Sequence, residues 1–167
     1  IVIFSSDQGL AIGSHGLRGK QNMYEHTVTV PLILRGPGIP KGARCAAQCY
    51  LRDLYPTVCE MAGCKAPGVV QARSLVPLLR GEVKSLYAQV YGSFGGVQRM
   101  IRTDRWKLIF YPKIGRYQLF DLREDPDECQ DLSAVPQHAA LRKELCVKLG
   151  AWQREVGDPA ARADGAP

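Results

Sequence analysis

The chain opens on four consecutive apolar residues, Ile1-Val2-Ile3-Phe4, followed by Ser5-Ser6-Asp7. An unbroken apolar run of this length predicts a strand buried on both faces, with parallel or mixed neighbours in its sheet. A second run of the same kind, Val30-Pro31-Leu32-Ile33-Leu34, follows a glycine-rich stretch from Gly9 to Lys20. Two such strands do not make a covered sheet. The chain is therefore expected to begin inside a larger domain, with an N-terminal part of the same protein, and any signal peptide, lying upstream of Ile1.

Further along, Gly36 to Gly42 is turn chemistry. Leu51, Leu54, Val58 and Met61 recur at helical spacing, which predicts a helix over 51–62 with Gly63 as its stop. Pro56 suits a helix start, so the helix is expected to begin near Tyr55. Ser74 to Gly81 reads as a short apolar turn closed by glycine. The pattern then changes. Tyr87–Ser93, Val97–Thr103, Trp106–Pro112 and Tyr117–Leu122 are short, rich in aromatic and β-branched residues, and separated by turn residues. They predict an antiparallel sheet of about four strands. A helix from about His138 to Val156 follows, with Leu141, Leu145, Leu149 and Trp152 on one face. The fold class expected is thus α/β for residues 1–83, joined to an antiparallel-sheet-plus-helix (α+β) subdomain over 84–157. The small, polar tail 158–167 is expected to be disordered. No internal repeat is apparent.

Composition narrows this little. The 167 residues carry a formal charge of +6, which suits an anionic partner. Lys and Arg are scattered with no basic run of five, so a solvated basic surface is preferred and nucleic acid is not expected as a partner. No apolar run approaches the roughly 20 residues that span a bilayer. Six cysteines include Cys45-x₃-Cys49 and Cys59-x₄-Cys64, without Cys-x₂-Cys knuckles or an accompanying His. Free, partly buried thiols are the preferred reading, with one or two disulfides next and structural zinc last. The compartment stays open: exported (periplasmic or extracellular) and lysosomal sites both suit the chain.

The candidate chemistry gathers after the first strand. Ligands bind beyond the carboxyl ends of strands in open α/β sheets, and Asp7 and Gln8 stand there. A carboxylate beside an amide oxygen offers two hard ligands for Ca²⁺ or Mg²⁺; on these two residues alone an Asx-type turn is the preferred reading. His15 and Lys20 follow in a loop containing Gly9, Gly13, Gly16 and Gly19. Taken singly, His15 could be a structural loop histidine and Lys20 a surface lysine. Together, a hard cation, a compact ammonium and a proton-shuttling imidazole are the parts needed to hold and cleave a sulfate or phosphate ester.

The order of segments adds a resemblance. Phe4-Ser5-Ser6-Asp7-Gln8-Gly9, Gly13-Ser14-His15-Gly16-Leu17, Gly19-Lys20 and Tyr24-Glu25 resemble the sulfatase pattern of the alkaline phosphatase superfamily. Val30-Pro31-Leu32-Ile33 with Gly36-Pro37-Gly38, Asp53-Leu54-Tyr55-Pro56-Thr57, Ala62-Gly63 and Ser74 to Gly81 continue it. So do Arg99 to Thr103, Trp106-Lys107-Leu108, Leu119-Phe120-Asp121-Leu122, Asp125-Pro126 and Glu128. The resemblance runs from Ile1 to about Leu132 and marks the chain as the C-terminal portion of such an enzyme.

It implies that Asp7 and Gln8 ligate a divalent metal, usually Ca²⁺ and with Mg²⁺ possible. It further implies that Lys20 contacts the sulfate oxygens or the nucleophile, and that His15 lies near the sulfate and leaving group. Gln8 departs from the Asn or His of many members. A larger departure is that no Cys or Ser stands two residues before Pro and four before Arg, the context of the formylglycine nucleophile; the paired N-terminal aspartates are missing too. Formylglycine is therefore expected upstream, and the covalent route cannot run on these residues alone. Three functions follow: part of a sulfatase acting on a sulfated small molecule or glycan, part of a phosphonate monoester or phosphodiester hydrolase, or a non-catalytic binding module.

Overall fold

The computed structural model describes residues 1–161. In chain order the elements are β1 (Val2–Ser5), β2 (Ala11–Ile12), β3 (Arg18–Gly19), α1 (Glu25–Val28), β4 (Leu32–Arg35), α2 (Leu54–Met61), α3 (Val76–Leu79), β5 (Val90–Phe94), β6 (Gln98–Arg102), β7 (Trp106–Tyr111), β8 (Arg116–Asp121) and α4 (Ala139–Glu155). They form two compact units. One is Ile1–Asp7 with Pro31–Val90; the other is Gln8–Val30 with the chain from Tyr91 onward. The glycine-rich stretch belongs with the C-terminal unit.

In the first unit β1 and β4 pair antiparallel, with Val2 opposite Arg35 and Ser5 opposite Leu32. Burial on both faces is not found among the described residues: Val2, Phe4 and Ile33 remain about 60% exposed or more (67%, 59% and 60%). The helix expected over 51–62 is α2, preceded by a single 3₁₀ turn at Leu51–Asp53. Pro56 sits in its first turn, where no intrahelical N–H bond is lost, and Gly63 ends it with φ 72°.

The buried side of α2 is not the apolar stripe. Leu51 and Val58 are exposed, whereas Asp53, Pro56 and Thr57 are buried. The reason is hydrogen bonding. Asp53 accepts from the Tyr50 amide (2.8 Å), the Arg73 amide (3.0 Å) and the Tyr87 hydroxyl (2.8 Å). The Thr57 hydroxyl donates to the Asp53 carbonyl and accepts from the Leu75 amide at 2.8 Å. Polar groups satisfied in this way can be buried at little net cost. Burial and the bond to Asp53 also push the Tyr87 phenol above its ordinary value.

In the second unit β5–β6–β7–β8 form one antiparallel sheet in sequence order. Side chains alternate across a strand, and here both faces are covered. Ile101, Leu108, Phe110 and Leu119 pack with Leu145 and Leu149 of α4, as the helical face predicts. Met100, Ile109 and Phe120 pack with Met23 and Tyr24 from the glycine-rich segment. The sheet thus carries α4 on one face and the loop holding the candidate chemistry on the other. Lys107 belongs to the loop-facing set by its odd register with Ile109. Asp158 and the three residues after it, expected as the start of a disordered tail, are placed: Asp158 takes a paired bond from Arg99 at 2.5 and 2.8 Å. Residues 162–167 of the expected tail lie outside the described residues.

Candidate active site

The glycine-rich segment reaches the sheet through close backbone packing. The Gly9 amide donates to the Thr27 carbonyl at 2.8 Å, and a Cβ on Gly9 would meet the His26 carbonyl oxygen at 2.1 Å. No side chain fits there. The β2–β3 hairpin, Ala11–Ile12 against Arg18–Gly19, then presents His15 from its turn. His15 has φ 55°, in the left-handed region.

Its ring is held on two sides. It stacks on Tyr24 at 3.9 Å between centroids and 7° between planes, with His26 5.6 Å away. His15 Nε2 lies 3.0 Å from the Asp127 carbonyl oxygen. A carbonyl only accepts, so Nε2 carries the proton, and in the neutral ring Nδ1 keeps the lone pair. That leaves His15 with one nitrogen able to take up a proton.

Below the stack lies a charged cluster. Lys107, whose side chain is fully buried, sets Nζ 2.9 Å from Glu25 Oε1 and 2.8 Å from Glu128 Oε1. The second contact is an ion pair outside hydrogen-bond angles. Arg102 adds a bond to Glu25 at 3.0 Å and Thr29 another at 2.9 Å. The Glu25 amide, at the start of α1, donates to Glu128 Oε2 at 2.6 Å. Two acids and two bases leave the cluster neutral, which is how buried charge is tolerated.

Burial raises the Glu25 carboxyl but is outweighed by Lys107, Arg102 and Thr29, so it titrates below its usual range. At Glu128 burial wins over Lys107, and the carboxyl is pushed up. Burial, with the adjacent His15 and Lys107, lowers the His26 imidazole; its Nε2 is buried without a hydrogen-bond partner among the described residues. His15, Glu25, His26, Arg102, Asp127 and Cys129 line part of an open cleft of about 770 Å³ in this unit.

The family model described as "N-sulphoglucosamine sulphohydrolase, C-terminal" matches residues 13–155. This chain belongs to the sulfatase family. It corresponds to the family's C-terminal portion, with the alkaline phosphatase-like fold of its structural neighbours. An N-acetylglucosamine-6-O-sulfatase of Bacteroides thetaiotaomicron is 33% identical over 95% of the chain and 31% of the relative. A solved structure of a protein in complex with its substrate D-glucosamine-2-N,6-O-disulfate is 30% identical, with TM-score 0.84, over 96% of this chain and 35% of that one. A phosphonate monoester hydrolase of Agrobacterium radiobacter is 26% identical, with TM-score 0.77, over 92% of this chain and 34% of that one. The chain spans about a third of the length of these relatives.

Of the residues singled out in the sequence, His15 and Lys20 share the hairpin region of the second unit, His15 clamped and Lys20 exposed just beyond β3. Asp7 is the exposed last residue of its segment in the first unit, and Gln8, half-buried, is the first of the second. They are chain neighbours offering a carboxylate and an amide oxygen, a hard donor pair that fits Ca²⁺ in part. Among the described residues no group of three or more His, Cys, Asp or Glu is placed to hold a metal. No helix among them is long and apolar enough to cross a membrane. All six cysteines are free thiols, and Cys146 is buried in α4. The residues that sequence reasoning passed over are Tyr24, Glu25, Lys107 and Glu128. Each lies in a segment that resembles the family, which was the available signal, but nothing in their spacing shows that they meet.

Proposed function

We propose that the chain is the C-terminal part of a sulfuric ester hydrolase that acts on a sulfated small molecule or glycan. The observation that carries this is the sulfatase match running without a break from the His15 loop through α4. In this reading Asp7 and Gln8 supply two of the oxygen ligands of a Ca²⁺ ion, which would offset the charge of the bound sulfate. Lys20 places its ammonium against the sulfate oxygens, where charge develops as the S–O bond breaks. His15 exchanges a proton at Nδ1 with the leaving oxygen, its Nε2–H being engaged by Asp127. The formylglycine nucleophile is assigned to the part of the protein outside this chain.

The second reading, phosphonate monoester hydrolysis, rests on the likeness to the Agrobacterium enzyme, since a cation and a lysine cradle a tetrahedral phosphoryl centre equally well. The full-length protein carrying this chain is expected to turn over 4-nitrophenyl sulfate at a kcat/KM at least about 10²-fold above that for 4-nitrophenyl phenylphosphonate, a difference of roughly 3 kcal/mol in transition-state binding. The reverse ranking would move the assignment to the phosphonate reading.

A further inference from the structure

The geometry points to Glu128 as a positioning residue that fixes the tautomer and orientation of His15, acting through both its backbone and its side chain. The inference rests on the proposed role of His15.

Glu128 has φ 58°, one of only two non-glycine residues with positive φ among the described residues; the other is His15 itself. A β-unbranched residue held in the left-handed region costs of order 1 kcal/mol and persists where the surroundings fix it. At Glu128 the surroundings are the buried cluster. Its side chain is 1% exposed, within ion-pair distance of Lys107 Nζ at 2.8 Å. The same carboxylate takes the Glu25 amide at 2.6 Å.

This single carboxylate therefore ties together three things. Its own turn, closed by the Glu128 amide on the Asp125 carbonyl at 3.1 Å, carries Asp127, whose carbonyl accepts from His15 Nε2 at 3.0 Å. Its bond to the Glu25 amide fixes the start of α1, the residue next to Tyr24, whose ring stacks on His15 at 3.9 Å. Its pairing with Lys107 anchors both to β7. Tyr24 is secured independently at its far end by the Gln118 amide oxygen, 3.0 Å from its hydroxyl. The two contacts that define His15, one in the plane of the ring and one on its face, thus converge on Glu128. Neither Glu25 nor Lys107 has this double connection, because neither lies in the turn that bears the Asp127 carbonyl.

The test reads the ring directly. In full-length protein labelled with ¹⁵N-histidine, the His15 signals are assigned by their loss in His15→Ala. The wild type is expected to show the Nε2–H tautomer. Glu128→Ala is expected to give the averaged shifts of a mixed tautomer, whereas Glu128→Gln, which still accepts the Glu25 amide, retains the wild-type pattern. Should Glu128→Ala fail to fold, Lys107→Met/Glu128→Met removes both charges together, a change that buried pairs often tolerate, and is expected to give the same mixed tautomer. Unchanged His15 shifts in either folded variant would overturn the proposal.

Turnover supplies the second arm. Glu128→Ala is expected to lower kcat about 10-fold or more with KM little changed, as small misplacements of a catalytic group do. In a His15→Ala background the same substitution is expected to add less than about 2-fold. Full additivity would show that Glu128 acts elsewhere and would also overturn the proposal. If His15→Ala alone leaves kcat intact, the proposed role of His15 falls, while the tautomer arm still decides whether Glu128 positions the ring.

Discussion

Asp7→Ala in the full-length protein is expected to remove most of its Ca²⁺ affinity and, with it, sulfate ester hydrolysis at limiting Ca²⁺. Groups that only orient a metal ligand are worth about 10–100-fold in affinity. A ligating carboxylate contributes formal charge to a hard cation and should exceed that, so a loss of at least about 10²-fold is expected by calorimetric titration. Asp7→Asn keeps an oxygen in place and should fall between the two. Excess Ca²⁺ should restore part of the activity of Asp7→Asn and little of that of Asp7→Ala. An Asp7→Ala protein with undiminished Ca²⁺ affinity would remove the strand end from the metal site.

The largest expected effect on stability lies far along the chain, at Asp158. Its side chain and that of Arg99 are 5% and 4% exposed and meet at 2.5 Å. The carboxylate also accepts from the Tyr91 hydroxyl at 2.5 Å and the Ala160 amide at 2.9 Å. Truncating one partner of a buried pair strands the other charge and costs about 3–5 kcal/mol. Asp158→Ala is expected to lose that much in urea unfolding of the C-terminal unit at pH 7.

The pH dependence fixes the cause. The bond from Arg99 outweighs burial and, with Tyr91 and the Ala160 amide, holds the Asp158 carboxyl well below the usual carboxylate range. A depressed folded-state value means that the stabilisation is complete above the unfolded value of about 4. It is lost as the pH falls from there through the folded value. The gap between wild type and Asp158→Ala should therefore be level from pH 7 to about 5 and narrow below about 4. A gap that stays constant into strong acid would mean that the carboxylate charge is not its source.

How much of this the sequence disclosed depends on which force governs each element. The four strands and α4 were readable because apolar burial sets them, and burial leaves a periodicity: Leu145 and Leu149 are buried where the helical face put them. Helix α2 was readable in extent but not in orientation, because its buried side is made by Asp53 and Thr57, whose hydrogen bonds come from residues as distant as Tyr87. Hydropathy counts such residues as solvent-facing.

Lys107 is the same case in a strand. Alone within Trp106–Tyr111 it reads as an outward position, yet its side chain is fully buried between two glutamates far from it in sequence, Glu25 and Glu128. The attachment of Gln8–Val30 to the C-terminal sheet leaves no signal in the sequence for a related reason. Met23 and Tyr24 carry no period, and only the three-dimensional pairing with Ile109 and Phe120 reveals their partner. Asp158, read as tail from its small polar neighbours, is held by a long-range ion pair that composition cannot express. The candidate site was legible as residue types in a glycine-rich loop; the Asp127 carbonyl that sets the His15 tautomer is backbone, and leaves no trace in a side-chain pattern.

The central claim is that this loop is the sulfate site, and Lys20 tests it most directly, since its exposed ammonium takes no part in the buried cluster. The measurement is 4-nitrophenyl sulfate hydrolysis by full-length wild type and Lys20→Ala at saturating Ca²⁺, with Ca²⁺ affinity measured on the same samples. A preorganised cation at a developing oxyanion is worth about 10²-fold or more in rate. Lys20→Ala should therefore bind Ca²⁺ as wild type does yet turn over at least about 10²-fold more slowly; a wild-type rate would contradict the assignment of this loop as the active site.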